Sequence, residues 1–144
     1  MGPDMSERDS YFLNPVGVVR SALKRREDAP RQPFDSAPEA WLEIKPQFAE
    51  AFEGIEVGSD IMVLTWLHMA KRDVLKVRPR RIDPNADITG VFATRSPDRP
   101  NPIGIHRTTI LAVESRGIKV AHLEALDGTP ILDIKPVLPE MQES

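Results

Sequence analysis

The chain has 144 residues, with 19 Lys and Arg against 22 Asp and Glu, a formal net charge of −3. That length makes one ordinary domain, large enough to bury a core without covalent staples. There is no cysteine, which excludes a disulfide framework, a thiolate nucleophile and cysteine-ligated zinc or iron–sulfur.

In chain order, residues 1–13 (MGPDMSERDSYFL) are polar and acidic at first and read as a disordered leader without the charged-then-apolar order of a secretion signal. Asn14 to Arg20 (NPVGVVR) is a first strand. Ser21 to Pro38 holds Pro30, Pro33 and Pro38 and reads as a long loop, of the kind that is functional or disordered inside a compact domain. Trp41, Leu42 and Ile44 mark a short strand. Pro46 then opens a short helix with Phe48, Ala51 and Phe52 on a core face and Gly54 as its stop. Asp60 to Leu67 carries the run IMVLTWL, expected as a strand buried on both sides. KRDVLKVRPRR reads as strand and loop, and Gly90 to Thr94 (GVFAT) as another buried strand. Ile105 to Val113 alternates, Ile110 and Ala112 on one face and Leu111 and Val113 on the other; Ile118–Leu126 and Ile131–Lys135 complete the set. Short strands, few helical segments and proline-rich turns predict an all-β barrel or sandwich. No apolar run is long enough to span a membrane, and the compartment expected is the cytoplasm.

Glycine is scarce at 8 and no G-x-G pair occurs, which removes the dinucleotide fingerprint and the phosphate-binding loop. His68, His106 and His122 lie far apart and match no metal spacing, so no metal is expected. Charge is uneven: Lys71 to Arg107 holds nine Lys/Arg and four Asp/Glu, a local +5 that leaves −8 for the remainder. Basic loops on an acidic body point to a local anionic ligand, or to solvated loops.

Three segments stand out. Arg95 to Gly104 (RSPDRPNPIG) places Pro97, Pro100 and Pro102 within six positions. Each proline restricts itself and its predecessor, so Arg95, Ser96, Asp98, Arg99 and Asn101 ride on a stiff rod. That is either a preorganised polar site or a rigid crossover whose arginines cap carbonyls. Leu126 to Pro136 (LDGTPILDIKP) sets Asp127-Gly128 in a tight turn. Its carboxylate suits the paired hydroxyls of a ribose, or equally an Asx-turn on its own backbone. Asp133 and Lys135 on one strand face read as an exposed pair. Arg31, in the long loop, is a ligand for a carboxylate or phosphate, or a solvated charge. His68, ending the WLH run, is the histidine to which a site role is assigned, against the alternative of a satisfied structural residue.

The segments PRQP, WLH, RPRR followed by GVFATRSPDRPNPIG, and LDGTPILDIKP resemble the TsaA-like family, also called YaeB-like or TrmO-like, from about Asn14 to Pro139. The resemblance implies a single-sheet β-barrel with short helical insertions over residues 14–139, followed by a tail at 140–144. It implies a cofactor, S-adenosylmethionine, commonly held near a homodimer interface. The activity implied is methylation of N6 of threonylcarbamoyladenosine beside the anticodon of tRNA. Carried over by matching segments, the cofactor residues are Pro30, Arg31, Gln32, His68, Met69, Arg95, Ile105, Asp127, Gly128, Thr129 and Pro130. His68 and Asp127 are candidates for a catalytic base, and Arg99, Asn101 and Lys135 for substrate contacts. Met69 stands where several members have glutamine, and Val137 where tyrosine is usual. Bacterial tRNA-modifying members carry an extra C-terminal domain; here the grip on tRNA is expected from the barrel's own basic loops across a dimer. A methyltransferase for a small metabolite and a SAM-binding module without chemistry stay open as alternatives.

Overall fold

A computed structural model describes residues 10–23, 38–78, 85 and 87–139. Six antiparallel strands close on themselves: β1 (Gly17–Arg20), β2 (Ala40–Ile44), β3 (Asp60–Trp66), β6 (Ile103–Glu114), β7 (Gly117–Val120) and β8 (Pro130–Pro136), in the spatial order β1-β2-β7-β6-β3-β8. β4 (Lys76–Val77) and β5 (Thr89–Gly90) form a separate two-stranded ladder. The expected all-β, single-sheet barrel is the architecture found.

Period-two patterning builds the core. In β3, Ile61, Val63 and Thr65 point inward and are buried, while Met62, Leu64 and Trp66 face out, half-buried. The expectation of a strand buried on both sides is thus corrected: a barrel strand has one packed face. Val19, Leu42, Ile110, Ile118 and Ile131 meet the β3 residues in the interior at 1% exposure or less.

Two connections cross the barrel because their strands are not neighbours. β2 and β3 lie on opposite sides, so residues 45–59 span one mouth and pack Phe48, Phe52 and Ile55 against the core. Part of this span, Pro46–Phe52, is a 3-10 helix ending near Gly54, whose φ of 92° no ordinary side chain favours. β7 and β8 are also apart, and residues 121–129 cross the other mouth, burying Leu123 and Ala125. The strand expected over Ile118–Leu126 therefore ends at Val120, where the chain leaves the sheet to plug it.

Gly90 to Thr94 is also corrected. Only Thr89–Gly90 is strand; Val91–Ala93 turns as a 3-10 element with Val91 buried and Phe92 87% exposed. An apolar run of this length does not by itself separate a strand from a tight turn anchored by one residue.

Candidate functional site

The antiparallel order decides which loops meet. β1, β3 and β7 end at the mouth where β2, β6 and β8 begin. β1, β8, β3 and β6 are consecutive around the barrel. The end of β1, the turn before β8, the turn after β3 and the proline rod before β6 therefore lie side by side on one rim. The last three are stretches singled out from the sequence, and β1 leads into the loop that holds the remaining candidates.

The Asp127 turn is stitched to the end of β1. Gly128 N–H donates to Val19 O at 2.8 Å, Asp127 N–H to Leu23 O at 2.7 Å, and Ser21 N–H to the Asp127 carboxylate at 3.0 Å. Asp127 thus clips the start of the loop that leads towards Pro30, Arg31 and Gln32. Those three residues lie outside the described segments. Gly128 has φ 87° and nothing within 4 Å of a would-be Cβ, so it supplies the left-handed turn and an open surface. The Thr129 hydroxyl is buried and donates to Leu126 O at 2.6 Å, which leaves it a structural role within the turn.

His68 and Met69 lie exposed in the turn after β3. This turn and the rod are fastened together. Lys71 N–H donates to the Asp98 carboxylate at 2.9 Å, and Arg99 N–H to Lys71 O at 3.0 Å. Arg72 donates to Pro100 O at 2.8 Å and to Asn101 Oδ1 at 3.0 Å, with its guanidinium 5.0 Å from the Trp66 ring. Arg99 donates to three carbonyls, of Ser96 at 2.8 Å, of Thr94 at 2.6 Å and of Val91. Arg99 and Asn101, singled out as substrate candidates, thus hold the rod itself. Arg95 stays exposed and makes no hydrogen bond or ion pair among the described residues.

Ile105 sits elsewhere, on the outer wall. Outward pairs run down this face: Trp66 beside Ile103, Leu64 beside Ile105 and Asp133, Met62 beside Arg107 and Lys135. Ile103 and Ile105 are 42% and 45% exposed. Lower on the same strands, the Thr109 hydroxyl and then the Arg107 guanidinium hold the Asp60 carboxyl below its ordinary range.

One residue without an assigned role proves to lie half-buried on the inward side of β6. His106 points into the barrel, with Nε2 and the Thr65 hydroxyl hydrogen-bonded at 2.9 Å. A Cβ on neighbouring Gly104 would lie 2.5 Å from that hydroxyl and 2.8 Å from Nε2, so the glycine leaves room for the pair. Desolvation lowers the imidazole to about 4, keeping it neutral. The alternation through β6 carries this placement, since His106 shares parity with Ile110. Among the described residues no three His, Asp or Glu gather to hold a metal, and no helix is long and apolar enough to cross a membrane.

The family described as the tRNA-methyltransferase O N-terminal domain matches residues 18–143. The chain belongs to this family. Among TrmO-family relatives, an "S-adenosyl-L-methionine-binding protein" of Archaeoglobus fulgidus is 44% identical over 130 residues, covering 90% of this chain and 91% of that protein. A "Probable S-adenosyl-L-methionine-binding protein" of Methanothermobacter thermautotrophicus is 46% identical over 124 residues, 86% and 88% of the two chains. The crystal structure of TrmO from Pseudomonas aeruginosa superposes with TM-score 0.73 at 33% identity, covering 94% of this chain and 59% of that one. The chain thus spans little more than half of that solved TrmO, but about nine tenths of the archaeal relatives.

Proposed function

We propose that this protein is a SAM-dependent methyltransferase whose acceptor is N6 of threonylcarbamoyladenosine beside the anticodon of tRNA. The observation that supports the reading is the opening of the His68 turn, the proline rod and the Asp127 turn on one rim, the rim at which β1 ends. The names of the relatives support the cofactor. The donor set suits that cofactor: a rim carboxylate for its ribose hydroxyls, an exposed guanidinium for its carboxylate, and backbone N–H and C=O groups in tight turns for its polar edges. S-adenosylmethionine, when bound, supplies a methyl group activated by the adjacent sulfonium.

Asp127, its turn braced by β1, orients the ribose. Arg95 holds a carboxylate, of the cofactor or of the threonyl group. The acceptor N6 is a poor nucleophile because its lone pair is shared with the ring and the carbamoyl group. Placing donor and acceptor in line therefore supplies most of the rate, and His68, exposed on the rim, takes the N–H proton. The outer wall of Trp66, Ile103 and Ile105 is the homodimer face, bringing Ile105 to the cofactor from the side. The site of action is the cytoplasm.

A second reading, a SAM-binding module without chemistry, is favoured by the archaeal relatives of matching length, whose names state binding alone. Mass spectrometry of threonylcarbamoyl-containing tRNA incubated with protein and SAM separates the two. A gain of one methyl per modified nucleoside is expected, reduced by His68→Ala roughly a hundredfold or more in rate. Calorimetric SAM binding without any mass gain would favour the module.

A further inference from the structure

The excursion between β3 and β6 carries a feature that no cofactor contact uses. Phe92 projects from the turn after β5 with 87% of its surface in water. Leu75 and Ile88, on the two arms of the same hairpin, are 67% and 59% exposed. Single exposed apolar residues need no explanation; a ring nearly bare on a braced turn presents one flat apolar face.

That turn is stiff. The Val91 carbonyl accepts from Thr94 N–H at 3.0 Å, from the Thr94 hydroxyl at 2.9 Å and from Arg99, which also holds Thr94 O. Val91 N–H donates back to Leu75 O at 3.0 Å. Val91 itself is buried, so the turn is pinned on one side and offers its ring on the other. Gly90 adds no side chain beside the ring, and a Cβ there would meet nothing within 4 Å. A ring held this way loses little freedom on binding.

The electrostatic setting selects the partner. Exposed Lys76 pairs with Gly90 across the ladder, and exposed Arg95 follows the turn, within the segment that carries a local +5. A two-fold contact through this hairpin would set that positive segment against its own copy. Cations around an exposed ring are instead the arrangement that holds single-stranded nucleic acid, in which the ring stacks a base and the cations meet phosphates.

We propose that Phe92 is a stacking platform for an unpaired nucleobase of the RNA substrate, with Lys76 meeting a flanking phosphate. This rests on the tRNA reading above and names a contact outside the cofactor pocket. The test compares wild type, Phe92→Ala, Phe92→Leu and Phe92→Trp in anisotropy titrations with a labelled anticodon stem-loop RNA, alongside SAM calorimetry and sedimentation of each protein. Phe92→Ala should weaken RNA binding roughly 5- to 100-fold. Phe92→Trp should restore it and Phe92→Leu should not, with SAM affinity unchanged throughout. RNA affinity unchanged in Phe92→Ala, or equal to wild type in Phe92→Leu, overturns the platform and leaves the tRNA reading standing. A shift from dimer to monomer in Phe92→Ala with RNA affinity unchanged makes the ring a subunit contact and likewise overturns it. No RNA binding by the wild type overturns both.

Discussion

His106 has an ordinary sequence context, IGIHRTT, yet its ring lies inside the barrel against Thr65. Its folded value of about 4 lies below the ordinary 6.5. The unfolded chain therefore binds the extra proton first as pH falls, and stability drops from about pH 6.5 towards 4. Between pH 6.5 and 5 few carboxylates titrate, and the loss from this residue should be about 1.5 kcal/mol. Urea midpoints across that window should show it, and His106→Gln should flatten the slope whatever its effect on absolute stability. An unaltered slope would mean the ring charges freely in the fold. Arg99 and Asn101 are also decided at this scale. Their residue types suit a ligand or a backbone brace equally, and only the hydrogen bonds show that Arg99 spans three carbonyls and that Asn101 accepts from Arg72.

At the scale of elements, close strand approach depends on two glycines beside β2. A Cβ on Gly17 would lie 2.2 Å from the Glu43 carbonyl, and one on Gly117 would lie 2.6 Å from the Leu42 carbonyl. Both obstacles are backbone, which cannot rotate away. Gly17→Ala should cost about 2 kcal/mol or more through forced strand separation. Gly90→Ala, with open space around it, should be near neutral. Equal denaturation midpoints for the two variants would contradict the tight packing of β1 on β2. The strands themselves were legible in the alternation of Ile110, Leu111 and Val113 and in the turn residues Asp127-Gly128. The exposed turn at Phe92 was not, because a short apolar stretch has no period long enough to distinguish burial from display.

For the whole molecule, the charge imbalance sets the binding behaviour. An acidic chain that holds a basic excursion on its rim should bind RNA weakly and with strong salt dependence. With about three phosphate contacts, a fourfold rise in salt should weaken tRNA binding roughly 20- to 40-fold, while SAM binding stays nearly constant. A flat salt response would argue for a small metabolite as acceptor. The family and its barrel were readable from the RSPDRPNPIG and LDGTPILDIKP strings, and with them the position of each candidate stretch along the chain. Which stretches become neighbours was not. That depends on β1, β8, β3 and β6 standing side by side although they are distant in sequence, an arrangement set by closing a sheet and by the two crossings that plug its mouths. Side-chain type and local stiffness are properties of the chain alone; adjacency, burial of His106 and the occupation of Arg99 by carbonyls arise only from long-range packing.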